Sequence, residues 1–294
     1  RSQSVCVKGL ERATRIEMRV IVAQHAGMCF GVRRALDLVE SEADRGTPLA
    51  TLGPLIHNPQ VVSRLEQKGV RVVRDVKEAA GGAVVLPSHG ATASVKDCAI
   101  KLGLSVIDAT CPYVAKVHEI ARQLASAGYL VVVVGDAGHT EVKAILSAAG
   151  KDAVVVGSVD EVDAHDWSGR KVGVVSQTTQ TAQRFGEIVG LIASRAKEVL
   201  AHNTICHATA DRQSAARELA PSVDAIFVVG GRNSANTNRL AEICRESGVP
   251  TFHVETAEEI PESAVKGFRI VGLTAGASTP DWIIEEVKSR LEAL

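Results

Sequence analysis

Short continuous runs of β-branched and other apolar residues recur along the chain. They lie at Arg19–Ala23, Val70–Val73, Ala83–Leu86, Leu104–Ile107, Leu130–Val134, Ala153–Val156, Val172–Val175, Ala225–Val229, Thr251–Val254 and Arg269–Leu273. Runs that do not alternate with polar residues predict strands covered on both faces, as in parallel sheets. The segments between them carry helical spacing. Val32, Ala35, Leu36, Val39 and Ala43 fall on one face of a helix over 32–44. Asn58-Pro59 predicts a capped helix start, and Gly69 its end. Pro112 and Pro280 open two more helices. Strand and helix thus alternate, which predicts an α/β fold with ligand sites beyond the carboxyl ends of the strands.

A longer period lies over this alternation. Three segments read strand, cysteine, helix: VIVAQHAGMCFGV, SVIDATCPYV and EVLAHNTICHAT, with Cys29, Cys111 and Cys206. Counting 28 residues on from each gives His57, His139 and Ser234. All three follow a strand and stand at or near a helix start. Each block then carries a second polar loop: Ser88-His89-Gly90, Ser176-Gln177-Thr178-Thr179 and Thr274-Ala275-Gly276-Ala277-Ser278. The period predicts three similar parallel-sheet units, 18–110, 111–205 and 206–294, in a pseudo-threefold arrangement. The strand over 18–24 completes the third unit, because the other two cysteines also follow a strand. Residues 1–17 are an extension or tag outside the repeat.

Composition narrows the function. Lys+Arg is 33 and Asp+Glu 34, a net charge of −1, which disfavours a nucleic-acid footprint or a polybasic membrane anchor. Aromatic residues are 3% of 294, too few for a base-stacking platform. No apolar run approaches a membrane span, and no leader pattern is visible, so a cytoplasmic location is expected. Six cysteines without a CxxC pair suit neither a disulfide scaffold nor a zinc ribbon.

Three thiolates brought together by a threefold repeat suit a soft metal centre. Zinc would need a fourth ligand, and histidines are near. A [4Fe–4S] cluster held by three cysteines keeps one iron open, which a catalytic Lewis acid requires. Cys98 and Cys244 lie on apolar helix faces and read as core, and Cys6 falls in the extension. His57, His89, Ser234, Asn236 and Ser278 stand at helix starts, where free amides and the helix dipole favour phosphate. Glu141 beside a buried centre can carry a raised pKa and pass protons, with Thr178 placed to orient it.

The segments AGMCFGVRRA, LGPLIHNPQVV, PSHGA, DATCPYVAKVH, GDAGHTEV, SQTT, ICHATADRQ, VVGGRNSANTNRLAE and TAGASTPDW resemble the 4-hydroxy-3-methylbut-2-enyl diphosphate reductase (IspH/LytB) family, in order from about Met18 to the C-terminus. The resemblance implies three α/β domains around a central [4Fe–4S] cluster. It implies a two-electron, two-proton removal of the substrate's C4 hydroxyl, giving isopentenyl and dimethylallyl diphosphate. It makes Cys29, Cys111 and Cys206 the iron ligands and leaves the fourth iron to the substrate hydroxyl. It places His57, His89, His139, Ser234, Asn236 and Ser278 around the diphosphate. It makes Glu141 the proton-delivering acid with Thr178 in its network, and reduced ferredoxin or flavodoxin the electron donor.

This chain departs from the family pattern at three places. Ala235 stands where many members have a second Ser, and offers a backbone N–H only. Thr140 replaces a Pro and Lys143 a Gly, on either side of Glu141. The rival expectations are a zinc hydrolase using three Cys and a His, and a non-catalytic or altered-substrate iron–sulfur paralogue.

Overall fold

A computed structural model describes residues 18–79 and 81–294. The extension over 1–17, with Cys6, lies outside the described residues. The strands are β1 (Arg19–Val22), β2 (Leu49–Leu52), β3 (Arg71–Val73), β4 (Ala83–Leu86), β5 (Ser105–Asp108), β6 (Leu130–Val134), β7 (Val154–Val156), β8 (Lys171–Ser176), β9 (Glu198–Ala201), β10 (Ala225–Val229), β11 (Thr251–Val254) and β12 (Ile270–Ala275). The helices are α1 (Phe30–Asp44), α2 (Pro59–Gln67), α3 (Ala93–Lys101), α4 (Pro112–Ser126), α5 (Thr140–Ala149), α6 (Ala182–Ala193), α7 (His207–Leu219), α8 (Ala235–Glu246) and α9 (Asp281–Glu292).

The strands form three four-stranded sheets, ordered β3-β2-β4-β5, β7-β6-β8-β9 and β11-β10-β12-β1. Every pairing is parallel. The edge strand beside β4 is β5, which leads into Cys111, and the one beside β8 is β9, which leads into Cys206. The equivalent place beside β12 is taken by β1, with Arg19 opposite Ile270 and Val22 opposite Leu273. The strand that leads into Cys29 therefore sits in the sheet of the C-terminal segment.

The continuous apolar runs have a direct cause. Val132 and Val134 pack with Trp167 and Ile188 on one face of β6, while Val131 and Val133 pack with Ile145 and Leu124 on the other. Phe227 and Val229 face α9 through Ile283 and Val287, and Ile226 and Val228 face α8 through Leu240. Successive side chains of a strand point to opposite faces, and here helices cover both, so no polar position can alternate in.

The helix signals behave as their chemistry requires. Asn58 caps α2, its side chain accepting from the Val61 amide at 3.0 Å, with Pro59 in the first turn and Gly69 just past the end at φ +86°. Cys244 is fully buried in the α8 core, whereas Cys98 is half-buried at the edge of the first sheet's packing. Two strands lie outside the apolar runs: β9, which only the repeat points to, and β2. Leu49–Leu52 reads LATL, and its Ala50 and Thr51 give a weak signal next to Pro48, yet both are buried at the centre of the first sheet.

Candidate active site

The three repeated cysteines occupy the same structural position. Cys29, Cys111 and Cys206 are the N-cap residues of α1, α4 and α7, each in extended conformation. All three are free and half-buried, and they line one cavity of about 110 Å³. A single water needs roughly 10–15 Å³, so the space suits a small ligand. A helix start offers unpaired amides to a sulfur. The Tyr113 and Val114 amides bond Cys111, and the Ala208 and Thr209 amides bond Cys206. Burial nonetheless pushes both thiols above the usual cysteine range, and neighbouring thiols add to the shift. Among the described residues no three His, Cys, Asp or Glu side chains converge on one metal ion. The thiols ring a space rather than meet at a point.

Gly31 is part of that ring. A Cβ on it would lie 2.5 Å from the Cys111 sulfur and 4.0 Å from that of Cys29. Gly31→Ala should therefore displace Cys111 while α1, where alanine is the better helix former, stays folded. The expected result is apo protein with wild-type circular dichroism and sharply reduced iron uptake on reconstitution, read by metal analysis. Full iron loading would show that the sulfur has more room than this contact allows.

The residues 28 positions on from each cysteine also share a place. His139 caps α5 and Ser234 caps α8, while His57 immediately precedes the cap of α2. His57, His89 and His139 form a trio with ring centroids 4.8, 5.2 and 6.4 Å apart. Burial, followed by the charge of His139, lowers His57 to about 4. Burial, then His57 and His139, lowers His89 to about 3. The Nδ1 of His139 accepts the Glu141 amide at 3.2 Å, which leaves its Nε2 to carry the proton of the neutral ring.

Several buried polar atoms in this cavity lack partners: His57 Nε2, His89 Nδ1, and both Oδ1 and Nδ2 of Asn236. Ser234 accepts the Thr237 amide at 3.3 Å, so its hydroxyl proton stays free. Ser278 donates to the His57 carbonyl at 3.1 Å, joining the last polar loop to the first. Buried polar groups without partners are costly unless a ligand satisfies them. Ala235 lines the same wall at the first position of α8, where its amide stands among the unpaired ones of that helix start.

Glu141 lines the same cavity and is only 3% exposed. Its Oε1 accepts the Thr178 amide at 2.6 Å and its Oε2 the Thr178 hydroxyl at 2.9 Å. Burial raises its pKa to about 7 although both bonds favour the ionised form. Thr140 and Lys143, the departures beside it, leave this geometry in place: Lys143 is exposed and Glu141 still enters the cavity.

All the residues expected around the site thus line one cavity. Others line it that were not expected: Tyr113 and Ala208, which with Gly31 stand two positions after each cysteine, and Val32, Val114 and Thr209, three positions after. The repeat held the signal, because each trio stands at one phase of the period.

Known proteins resemble this chain along nearly its whole length. The model of the family described as LytB protein matches residues 20–292. A 4-hydroxy-3-methylbut-2-enyl diphosphate reductase of Geobacter sp. (strain M21) is 49% identical over 278 residues, 94% of this chain and 98% of its own. One of Trichlorobacter lovleyi is 50% identical over 275 residues, again 94% and 98%. A solved structure of (E)-4-hydroxy-3-methyl-but-2-enyl diphosphate reductase, described as the terminal enzyme of the non-mevalonate pathway, has TM-score 0.67 and 45% identity, covering 94% of this chain and 100% of that one. The Plasmodium falciparum E-1-hydroxy-2-methyl-but-2-enyl-4-diphosphate reductase has TM-score 0.88 and 27% identity, covering 92% and 86%. No helix among the described residues is long and apolar enough to cross a membrane. Because the likeness runs through all three sheets and takes in each cysteine cap, this chain belongs to the LytB protein family, whose curated relatives are 4-hydroxy-3-methylbut-2-enyl diphosphate reductases.

Proposed function

We propose that the chain reductively removes the C4 hydroxyl of 4-hydroxy-3-methylbut-2-enyl diphosphate. Two electrons and two protons enter, the C–O bond breaks, and water leaves with isopentenyl or dimethylallyl diphosphate as product. The observation that carries this reading is the meeting, in one small cavity, of three N-cap thiols, an unpartnered His/Asn/Ser wall and a buried acid.

Cys29, Cys111 and Cys206 fit a [4Fe–4S] cluster: they are free N-cap residues of three helices, the sulfurs of Cys111 and Cys206 are met by helix-start amides, and Gly31 spares them a Cβ. When bound, such a cluster with one open iron supplies the electrons and a Lewis acid for the leaving hydroxyl. The rest falls to the chain. Asn236, Ser234, Ser278 and the histidine trio hold the diphosphate, and the amide of Ala235 serves without the second hydroxyl. Val32, Val114 and Ile56 give the short carbon chain an apolar wall. Thr178 fixes both oxygens of Glu141, which keeps a proton near neutral pH and delivers it to the departing oxygen. Reduced ferredoxin or flavodoxin is the proposed donor, and a reducing cytoplasm the proposed compartment.

Anaerobically reconstituted protein should be brown with about four irons per chain. It should convert the diphosphate substrate when given a strong reductant. Colourless protein that takes up no iron would overturn this function.

The histidine trio gives a separate expectation. The folded chain holds His57 near 4 and His89 near 3, below the usual 6.5 of an unfolded histidine. Their contribution to stability is present above pH 6.5 and is lost as pH falls toward those values. A bound polyanion favours the protonated rings and reverses that loss. Inorganic diphosphate should therefore raise the melting temperature of the apo chain more at pH 5.5 than at pH 7.5. Equal shifts would place the phosphates away from the trio.

A further inference from the structure

Arg212 is the one cation of α7 that points inward, and it is only 5% exposed. Its Nη1 donates to the Ala208 carbonyl at 2.6 Å, and its Nη2 to the Gly27 carbonyl. Ala208 stands two residues after Cys206, and Gly27 two residues before Cys29. One guanidinium thus ties the approach to one thiol to the first turn beyond another. The Nε–H is buried without a partner. A buried guanidinium with two carbonyl bonds and no carboxylate is costly unless negative charge lies close. Burial works against its charge, and the groups whose deprotonation would most favour it are Cys29 and Cys206, ahead of Asp211, its solvent-exposed neighbour in sequence. Arg33, the other cation felt at this point, is exposed and paired with Asp281.

We infer that Arg212 is the fixed counter-cation of the thiolate centre, tuning its reduction potential and holding the Cys29 and Cys206 loops in register. The inference rests on the iron–sulfur reading proposed above. Each electron added makes a thiolate-bound cluster more negative, so a buried cation beside two of its ligands stabilises the reduced state. Removing the cation disfavours reduction. Arginine suits the place because its planar fork reaches two carbonyls at once and keeps its proton in a dry site. The Gly27 end is itself held: its φ is +95°, and a Cβ there would lie 3.0 Å from both Asp281 and Ile284. The carbonyl that receives Arg212 therefore belongs to a turn packed closely against α9.

The test is the midpoint potential of the reconstituted cluster in wild type, Arg212→Gln, Arg212→Met and Arg212→Lys, from an anaerobic redox titration followed by electron paramagnetic resonance. Gln and Met should shift the potential to more negative values, and Lys should stay near wild type while retaining less iron. Wild-type potential in both neutral variants overturns the inference, as does a Lys shift as large as that of Gln. If the neutral variants are folded by circular dichroism but hold no iron, Lys must still load; its failure also overturns the charge assignment. A wild-type chain that takes up no cluster removes the proposed function itself, a result distinct from any difference among the variants.

Discussion

Cys111→Ala is expected to give a folded, colourless chain whose turnover falls at least ~10³-fold, about 4 kcal/mol or more of lost barrier lowering. Cys111 caps α4, and its sulfur takes only weak bonds from the Tyr113 and Val114 amides, which water can replace at a helix start, so its removal should cost the helix little. Pro112 still sets the first turn, and Val114, Val117, Ala121 and Leu124 still bury the inner face. What is lost is one of three thiols around the cavity. Two remaining cysteines at the starts of α1 and α7 cannot enclose a cluster from three sides. Cys98→Ala is the matched control. Cys98 lies mid-helix in α3 and does not line the cavity, so its loss should leave iron and turnover unchanged. Metal analysis and an anaerobic assay on both variants decide the matter. Wild-type iron in Cys111→Ala would remove that thiol from the centre.

Much of this architecture was legible in the chain because its repeat couples two signals. A cysteine after a strand and before a helix is weak by itself, since free cysteines are often core. Three of them, each followed 28 residues later by a polar residue at a helix start, fix equivalent places in three equivalent units. The same period carried Tyr113 and Ala208, and Val32, Val114 and Thr209, but these look like ordinary first-turn residues until the cavity is seen between them. Strand β2 was hidden for a different reason. Its small residues pack against two flanking strands, so tertiary context makes a strand where local propensity is weak. Arg212 was least legible of all. Its partners are a carbonyl 185 residues away and one four residues back, and no pattern distinguishes it from the exposed Arg217 on the same helix.

Glu141→Gln should lose turnover by ~10²–10⁴-fold while keeping iron and the affinity for inorganic diphosphate. The substitution is nearly isosteric. The Gln oxygen can still accept the Thr178 amide, and its NH₂ can donate to the Thr178 hydroxyl, so the pair keeps its contact with donor and acceptor exchanged. No diphosphate group is touched, because His57, Asn236 and Ser278 stand on other elements. The effect is confined to a transferable proton. The same residue carries a pH signature of definite sign. Its folded pKa is raised to about 7 from an ordinary 4.5. Its contribution to stability is therefore full below pH 4.5 and is lost as pH rises through about 7. Wild-type turnover should fall above pH 7 as Glu141 gives up its proton to solvent. In the Gln variant the residual turnover should lose that limb, and its stability should no longer decline across the same window. Thr178→Val separates orientation from acidity. It removes the hydroxyl that favours the carboxylate, so the Glu141 pKa and the alkaline limb should move higher while some turnover survives. Unchanged turnover in Glu141→Gln would take the carboxyl out of the mechanism. A lost diphosphate affinity would instead make Glu141 a support for the histidine wall, acting through the His139 ring that accepts its amide.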